Sequence, residues 1–237
     1  MSKFKFKKFS VNQNRCAMKI GTDSVLLGAW TTIDYDANSI LDIGAGTGIL
    51  SLMMAQRSSA ETIDAVEIDD EAYEQCVENF ENSIWADRLF CYHASLEEFV
   101  AEIDDKYDLI ISNPPFFEGS LDRSDENSRA IARTNDYLPF NHLCESVSQL
   151  LKRDGMFAVV IPISSESEFL EIAACFNLKP QRVLHVKGTE SSPIKRTLIE
   201  FTFQIKKLKT EELVIEIERH QYTPEYIELT KDFYLKM

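Results

Sequence analysis

Short apolar runs alternate with amphipathic stretches from about residue 39 onward. The runs are bounded by Gly, Asp, Asn or Ser, which is typical of short buried strands. The stretches between them have apolar residues at helical spacing, which predicts helices with one buried side. A regular succession of strand, helix and strand is typical of a parallel sheet that is covered by helices on both faces. The pattern therefore predicts an α/β fold with a doubly wound, mostly parallel sheet.

The pattern also sets approximate bounds for the elements. Asp69 and Asp70 are suited to the N-cap and first turn of a helix that runs to about Asn82. Seven strands are predicted, at residues 39–43, 62–68, 89–93, 107–112, 156–161, 182–187 and 197–206. The other helices are predicted at residues 49–56, 96–102, 138–152 and 166–176. A polar loop at 118–135, an alternating run at 212–218 and a closing segment at 226–235 complete the chain.

No stretch of the sequence has the length and composition of a linker between two domains. We therefore expect a single domain over residues 39–237, ending in a short C-terminal extension. Residues 1–38 precede the first strand of the sheet. We expect them to form a basic N-terminal extension that packs on this domain.

The composition narrows the class of protein. The chain has 237 residues, of which 44% are hydrophobic and 27% charged, as in ordinary globular proteins. The longest apolar stretch, at residues 156–163, is far too short for a membrane span. Five scattered cysteines without a C-x-x-C pair predict reduced thiols, so we expect a cytoplasmic protein. The four His and five Cys show no metal-ligand spacing, and we expect no metal.

Charge is distributed unevenly along the chain. The formal net charge of −14 argues by itself against a nucleic-acid partner. Residues 60–108, however, hold sixteen acids against two basic residues, whereas residues 1–20 hold six Lys or Arg and no acid. Residues 179–209 hold eight Lys or Arg against two Glu. The basic segments can therefore still contact phosphates, although a solvated surface explains them equally well.

The first of these basic segments begins with aromatic residues interleaved with lysines. The sequence K-F-K-F-K-K-F at residues 3–9 suits phosphate contact combined with base stacking. The same alternation describes an amphipathic edge strand.

A glycine-rich turn, D-I-G-A-G-T-G at residues 42–48, follows the first predicted strand of the sheet. Glycines at this point let the backbone approach a ligand closely. The spacing is not G-x-G-x-x-G and no G-K-[ST] follows, which argues against a dinucleotide and a nucleoside triphosphate. Glu67 ends the second strand, where a carboxylate can accept hydrogen bonds from ribose hydroxyls. The two features favour a nucleoside site, and a tight turn with a surface glutamate remains the alternative.

The fourth predicted strand ends in Asn113, Pro114, Pro115 and Phe116, at the sheet edge where open α/β folds bind ligands. The prolines fix the backbone and carry no N–H, which leaves the Asn113 amide oxygen and the Pro114 carbonyl as acceptors. Acceptors that hold the N–H groups of a planar amine stabilise the positive charge that develops when its nitrogen attacks a methyl group. Phe116 offers a face for stacking. These four residues are the candidate catalytic residues.

The glycine turn and the A-V-E-I-D that follows resemble the first two motifs of class I S-adenosylmethionine-dependent methyltransferases, which have a Rossmann-like fold. The resemblance implies S-adenosylmethionine as cofactor, with the glycines at its methionine part and Glu67 at its ribose. Asp42 would orient the turn or reach the cofactor's ammonium through water. Ser95 stands where the family often has an Asp near adenine. The cofactor-binding residues implied are Thr22, Asp23, Asp42, Gly44, Gly46, Gly48, Glu67, Ile68, Ser95, Leu96 and Asn113.

N-P-P-F is similar to the signature of amino-methyltransferases that modify adenine N6, guanine N2 or a glutamine amide. Three further stretches resemble sequence blocks of the bacterial tRNA(Val) adenine-37 N6-methyltransferase family. They are residues 18–30, residues 129–134 and the segment from Tyr226 to Leu235. This resemblance implies methyl transfer to an adenine N6 in a tRNA anticodon loop, by a protein that we expect to be a monomer. The substrate-binding residues expected are Lys3, Lys5, Lys7, Lys8, Arg129 and Arg133.

Three alternatives remain open from the sequence. A protein glutamine N5-methyltransferase shares N-P-P but usually carries a separate N-terminal helical domain. A guanine-N2 methyltransferase of ribosomal RNA usually has a duplicated domain, which this chain lacks. A binding module could retain the cofactor fold without catalysis, although the intact N-P-P-F argues against it.

Overall fold

Strands and helices alternate through most of the chain. The computed structural model describes residues 3–16, 18–33, 37–115 and 138–236. The strands are β1 (Lys3–Lys5), β2 (Ser10–Asn12), β3 (Ser39–Ile43), β4 (Thr62–Glu67), β5 (Leu89–His93), β6 (Tyr107–Ser112), β7 (Leu151–Pro162), β8 (Lys179–Thr189), β9 (Ile194–Thr202), β10 (Lys209–Glu218) and β11 (Gln221–Tyr222). The helices are α1 (Thr22–Trp30), α2 (Ile49–Arg57), α3 (Asp70–Glu81), α4 (Leu96–Glu102), α5 (Phe140–Leu150), α6 (Glu166–Cys175) and α7 (Pro224–Thr230), with a 3₁₀ turn at Ile163–Ser165.

Nine strands form one sheet, in the order β11-β10-β8-β9-β7-β6-β3-β4-β5. Five neighbouring strands, β7, β6, β3, β4 and β5, are parallel to one another. Strand β9 is antiparallel to both of its neighbours, β8 and β7, and β8 is parallel to β10. The predicted α/β architecture is confirmed. The predicted count of seven strands is too low, because β10 and β11 from the C-terminal segment extend the sheet beyond β8.

Two hydrophobic clusters cover the two faces of the sheet. One cluster joins the sheet to α1, α2, α3 and α7, and the other joins it to α4, α5 and α6. Adjacent residues on one strand belong to different clusters, as Leu109 and Ile110 show, because side chains alternate across a strand. Both faces are therefore buried, which explains the continuous apolar runs in the sequence.

The local patterns placed several elements accurately. Asp69 caps α3 and accepts a hydrogen bond from the Ala72 backbone N–H at 2.8 Å. The prediction of a helix at 138–152 is wrong at its end, because α5 stops at Leu150 and β7 begins at once. Gly155 lies within this strand, and a Cβ there would come within 3.0 Å of the Tyr107 and Asp108 carbonyl oxygens. The sequence pattern places Gly155 at the end of a helix, but the structure needs it inside β7, where this strand packs closely against β6.

The N-terminal segment begins as a hairpin that packs into the core. Strands β1 and β2 pair antiparallel, so the strand interpretation is confirmed for residues 3–5 but not for residues 7–9, which form the turn. Phe6 and Phe9 are buried and stack at 4.7 Å, and Phe6 pairs with Tyr234. The base-stacking interpretation is wrong for these two rings, because they face the protein interior.

The hairpin is followed by a segment that lies along α3. Asn79 accepts a hydrogen bond from the Asn12 N–H at 2.8 Å and donates to the Asn12 and Thr47 carbonyls. The N–H groups of Asn14 and Arg15 donate to Gln75. These contacts precede residues 18–21, which lie beside the glycines that follow β3 at the carboxyl edge of the sheet. Among the residues described, no helix is long and apolar enough to cross a bilayer.

Candidate active site

The glycine turn lies at the carboxyl end of β3. Gly44, Gly46 and Gly48 have φ angles of 71°, 55° and 75°, a region that favours glycine. A Cβ on Gly44 or Gly46 would meet no atom within 4 Å, so open space lies in front of both. A Cβ on Gly48 would meet Phe80 at 2.5 Å. The first two glycines therefore face a possible ligand, whereas the third is required for packing α2 against α3.

Glu67 braces this turn from the end of β4. Its carboxylate accepts hydrogen bonds from the backbone N–H groups of Gly46 at 2.7 Å, Ile68 at 2.9 Å and Asp69 at 3.0 Å. Two carboxylate oxygens have about four acceptor positions, so capacity remains for a ligand hydroxyl. The buried carboxylate thus fixes the turn before any ligand binds.

Asp42 lies beneath the turn and is fully buried. Its Oδ2 accepts hydrogen bonds from the Ser51 N–H at 3.0 Å and the Ser51 hydroxyl at 2.8 Å, while Oδ1 has no partner among the residues described. Burial raises the pKa of Asp42 to about 7, against the lowering effect of the Ser51 hydrogen bonds. Asp42 therefore connects β3 to α2 and holds the turn from below.

The residues expected near the cofactor's adenine follow β4 and β5. Ile68 is 38% exposed, so part of its side chain is open for packing against a planar ring. Ser95 forms a capping box, in which its hydroxyl donates to Glu98 at 2.7 Å and accepts from the Glu98 N–H at 3.2 Å. Leu96 begins helix α4 and is half-buried. The Ser95 hydroxyl thus already has a structural role, and an adenine contact would use its remaining lone pair.

A pocket of about 280 Å³ opens in front of the glycines, and we call it the glycine pocket. Its walls come from four parts of the chain that are distant in sequence. Of the expected residues it brings together Asp23, Gly44, Gly46, Asn113 and Pro114. Met18, Lys19, Ile20, Gly21, Ser24, Ala45, Thr47, Ile49, Leu50 and Arg196 also line it. The segment before α1 therefore forms one wall of the candidate site.

Asn113 is held in this pocket by a contact with α1. Its Nδ2 donates a hydrogen bond to Ser24 Oγ at 2.7 Å, which leaves Oδ1 as an acceptor. Pro114 is buried and Pro115 half-buried behind it. Phe116, Arg129 and Arg133 lie outside the described residues. Thr22 lines a neighbouring pocket instead.

Sequence reasoning missed Ser24 and Arg196. Arg196 Nε donates to Asp23 Oδ2 at 2.8 Å, a contact that joins β9 to the start of α1 at the pocket. Ser24 belongs to the T-D-S sequence that begins α1, but its partner lies 89 positions away. No local pattern indicates such a long-range pair, so only the structure reveals it.

The basic residues divide into two groups. Lys3, Lys5, Lys7 and Lys8 are exposed on the hairpin. Most basic side chains of residues 179–209 are engaged by the protein itself: Arg182 lies 4.3 Å above the Trp30 ring and contacts Glu200 and Glu211, and Lys187 pairs with Glu212. This segment therefore offers RNA fewer cations than its sequence indicates. The described part of the chain contains no cluster of three or more possible metal ligands.

Comparisons with known proteins agree with this geometry. The sequence profile of the methyltransferase small domain matches residues 17–168. Proteins named tRNA1(Val) (adenine(37)-N6)-methyltransferase from Christiangramia forsetii, Flavobacterium johnsoniae and Bacteroides fragilis (strain YCH46) are 56%, 54% and 46% identical to this chain. Each alignment covers 99% of this chain and at least 98% of the relative.

Solved structures show the same fold at low sequence identity. A protein described as a predicted O-methyltransferase from Agrobacterium tumefaciens aligns with a TM-score of 0.69, 20% identity and coverage of 89% of this chain and 96% of that one. A precorrin-6y C5,15-methyltransferase from Geobacter metallireducens aligns with a TM-score of 0.55, 14% identity and coverage of 83% and 93%. The expected Rossmann-like methyltransferase fold is confirmed. The chain therefore belongs to the methyltransferase small domain family and, within it, to the family of the tRNA1(Val) (adenine(37)-N6)-methyltransferases.

Proposed function

We propose that the protein transfers a methyl group from S-adenosylmethionine to N6 of adenine 37 in tRNA(Val). The observation that carries the proposal is the position of Asn113, which faces the glycine pocket with its amide held by Ser24 at 2.7 Å. The curated relatives support the choice of substrate through their names. The cofactor supplies an electrophilic methyl group on a sulfonium centre.

The residues around the glycine turn fit this cofactor. The open space in front of Gly44 and Gly46 allows a ligand to approach the backbone closely. Glu67 would accept hydrogen bonds from the ribose hydroxyls, and Ile68 would pack on the adenine. Asp23, at the pocket wall, would face the methionine part together with Gly44 and Gly46.

Asn113 and Pro114 would bind the adenine amino group. The lone pair of an aromatic amine is delocalised into the ring, so the nitrogen is a weak nucleophile. The Asn113 Oδ1 and the Pro114 carbonyl would accept hydrogen bonds from the two N–H groups of the adenine amine and hold its nitrogen near tetrahedral geometry. They would also stabilise the positive charge on the nitrogen as it attacks, because fixed acceptors need no reorganisation during the reaction. Phe116 would stack on the adenine.

The hairpin lysines, together with Arg129 and Arg133, would bind the RNA backbone. Adenine 37 lies in a single-stranded loop, so moving it into a pocket requires less unpairing than a duplex base would. Lys3, Lys5 and Lys8 would contact phosphates, as would Arg129 and Arg133. We infer that residues 1–38 and 39–237 act as one catalytic unit, in a cytoplasmic monomer that needs no metal.

Incubation with labelled S-adenosylmethionine and bulk tRNA, followed by nucleoside analysis, tests this proposal. We expect label in N6-methyladenosine. Label confined to protein glutamine would contradict the proposal and favour the glutamine methyltransferase. Label in N2-methylguanosine would contradict adenine as the target base and favour a guanine-N2 methyltransferase, and cofactor binding without transfer would indicate a binding module.

A further inference from the structure

A second pocket, of about 450 Å³, lies beside the glycine pocket. Ile20 and Gly21 line both pockets, so only this short stretch of chain separates them. We call the second one the tyrosine pocket, because Tyr222, Tyr226 and Tyr234 line it. Its volume lies within the range of about 300–1,000 Å³ that is typical of ligand sites. The proposed reaction does not use it.

Four aromatic residues, Phe4, Tyr222, Tyr226 and Tyr234, form part of the wall of the tyrosine pocket. Tyr222 and Tyr226 lie 5.2 Å apart at an angle of 37°, and Phe4 lies 6.3 Å from Tyr234 at 64°. Tyr226 is buried, whereas Phe4, Tyr222 and Tyr234 are half-buried and keep part of their surface open. Aromatic walls of this kind bind a planar ring by stacking and edge contacts.

Polar groups at the pocket can contact the edge of such a ring. Burial and the neighbouring Tyr234 hydroxyl raise the pKa of Tyr226, so both hydroxyls stay protonated, and a tyrosine hydroxyl can donate as well as accept a hydrogen bond. Glu216 and Lys236 also line the pocket. The pocket therefore offers both hydrogen-bond donors and acceptors, and the edge of a nucleobase carries groups that can pair with both kinds.

The surroundings favour a ligand with phosphates. Lys236 is an exposed cation that lines the pocket. Lys3 and Lys5 are exposed as well, but they precede and follow Phe4 on β1 and therefore project from the opposite face of that strand. Lys19 lines the adjoining glycine pocket. A neutral planar metabolite would gain little from Lys236 and Lys19, whereas a nucleic-acid strand that crosses both pockets would place its backbone beside them.

We propose that the tyrosine pocket binds a second unpaired base of the RNA, belonging to one of the two nucleotides next to the methylated adenine. This inference rests on the proposed function. Because the two pockets share a wall, adjacent nucleotides can occupy them while Ile20 and Gly21 lie between the separated bases. Binding of the second base would keep the loop unstacked and hold the adenine at Asn113.

The test is a cycle that combines protein and RNA changes. The RNA is a synthetic anticodon stem-loop, either intact or with an abasic residue on one side of the target adenine. The proteins are the unmodified chain, Tyr222→Ala and Tyr222→Phe, with Phe90→Ala as control because Phe90 is 45% exposed on β5, at the opposite edge of the sheet. RNA affinity, methylation rate, affinity for S-adenosylhomocysteine and melting temperature are measured for each.

We expect Tyr222→Ala to weaken binding of the intact RNA roughly tenfold or more, as loss of one base stack would. One abasic position should weaken the unmodified chain equally, and combining it with Tyr222→Ala should add little. Tyr222→Phe should retain binding, and Phe90→Ala should match the unmodified chain. Independent, additive losses would overturn the proposal, as would unchanged RNA binding or a selective loss of S-adenosylhomocysteine binding in Tyr222→Ala.

This design separates failure of the pocket from failure of the proposed function. If the unmodified chain methylates the intact stem-loop at adenine but the cycle shows no coupling, only the pocket assignment is wrong. If the unmodified chain fails to methylate the intact stem-loop and tRNA, the proposed function is wrong and the pocket assignment fails with it.

Discussion

At the scale of single residues, orientation of side chains decides what the site can do. The side-chain amide of Asn113 can bind the adenine amino group only if its oxygen, and not its nitrogen, faces the substrate. Ser24 takes the hydrogen bond from its Nδ2, so the oxygen is the end left for the adenine amino group. Ser24 is therefore a positioning residue for the proposed reaction.

The substitution Ser24→Ala tests this role. We expect the methylation rate at saturating substrate to fall about tenfold, since loss of a hydrogen bond of about 1–1.5 kcal/mol frees the amide to rotate. Affinity for S-adenosylhomocysteine should change little. Ser148→Ala serves as the control, because the Ser148 hydroxyl donates to the Glu145 carbonyl within α5. An unchanged rate in Ser24→Ala would show that Asn113 is positioned without Ser24.

Asp42 gives a prediction about pH. Its pKa is raised to about 7 in the folded protein, against about 3.9 for an unfolded Asp. The folded state therefore binds this proton more tightly than the unfolded state does. Proton binding at Asp42 stabilises the folded state fully below about pH 4, and this contribution is lost as pH rises through 7. We expect Asp42→Asn to flatten the decrease in urea midpoint between pH 5 and about pH 8. If the urea midpoints of the two proteins decrease in parallel over this pH range, the pKa of Asp42 is not raised to about 7.

At the scale of elements, the glycine turn combines two different requirements. Gly44 needs its positive φ and faces open space, while Gly48 needs both its positive φ and the room that Phe80 and Cys76 leave. The sequence motif does not distinguish the roles of the three glycines. The structure assigns them separately to ligand access and to packing.

Matched alanine substitutions distinguish these roles. Gly48→Ala should lower the free energy of unfolding by about 2–4 kcal/mol, because backbone strain and overpacking add together. Gly44→Ala should cost only the strain, about 1–2 kcal/mol, and should weaken cofactor binding more than Gly48→Ala does. Denaturant unfolding and S-adenosylhomocysteine titration measure both effects. Equal losses of stability would contradict the packing role of Gly48.

Sequence patterns predicted elements well where one physical cause dominates. Strand β6 and the cap at Asp69 follow from local hydrophobicity and hydrogen bonding, and both lie where expected. Strand β10 was only an alternating run in the sequence, because its place beside β8 depends on pairing with distant residues. The start of β7 was hidden by Gly155, whose role depends on contacts with β6.

At the scale of the whole molecule, the N-terminal hairpin joins the core to the basic surface. Phe6 and Phe9 belong to the hydrophobic core, while the lysines between them are exposed. The net charge of −14 therefore coexists with exposed lysines on the hairpin. Deleting residues 1–8 would remove core packing together with charge, so charge must be changed without removing the hairpin.

The combined substitution of Lys3, Lys5 and Lys8 by Gln does this. Lys7 is left intact because its ammonium donates to the Lys231 carbonyl. We expect weaker tRNA binding and a salt dependence whose slope decreases by about 0.7–0.9 for each phosphate that the protein no longer neutralises. Lys106→Gln, just before the amino end of β6, is the control. An unchanged slope would mean that these lysines do not bind the RNA backbone.

The most direct test of the central claim is single-turnover methylation of a tRNA(Val) transcript by the unmodified chain and by Asn113→Ala, with the product located by fragment mass spectrometry. We expect the unmodified chain to methylate N6 of adenine 37. Asn113→Ala should react about 10²–10³-fold more slowly, as when one fixed hydrogen-bonding group is removed from a catalytic site, with cofactor affinity nearly unchanged. Methylation at another position, an unchanged rate in Asn113→Ala, or a loss confined to cofactor binding would contradict the account.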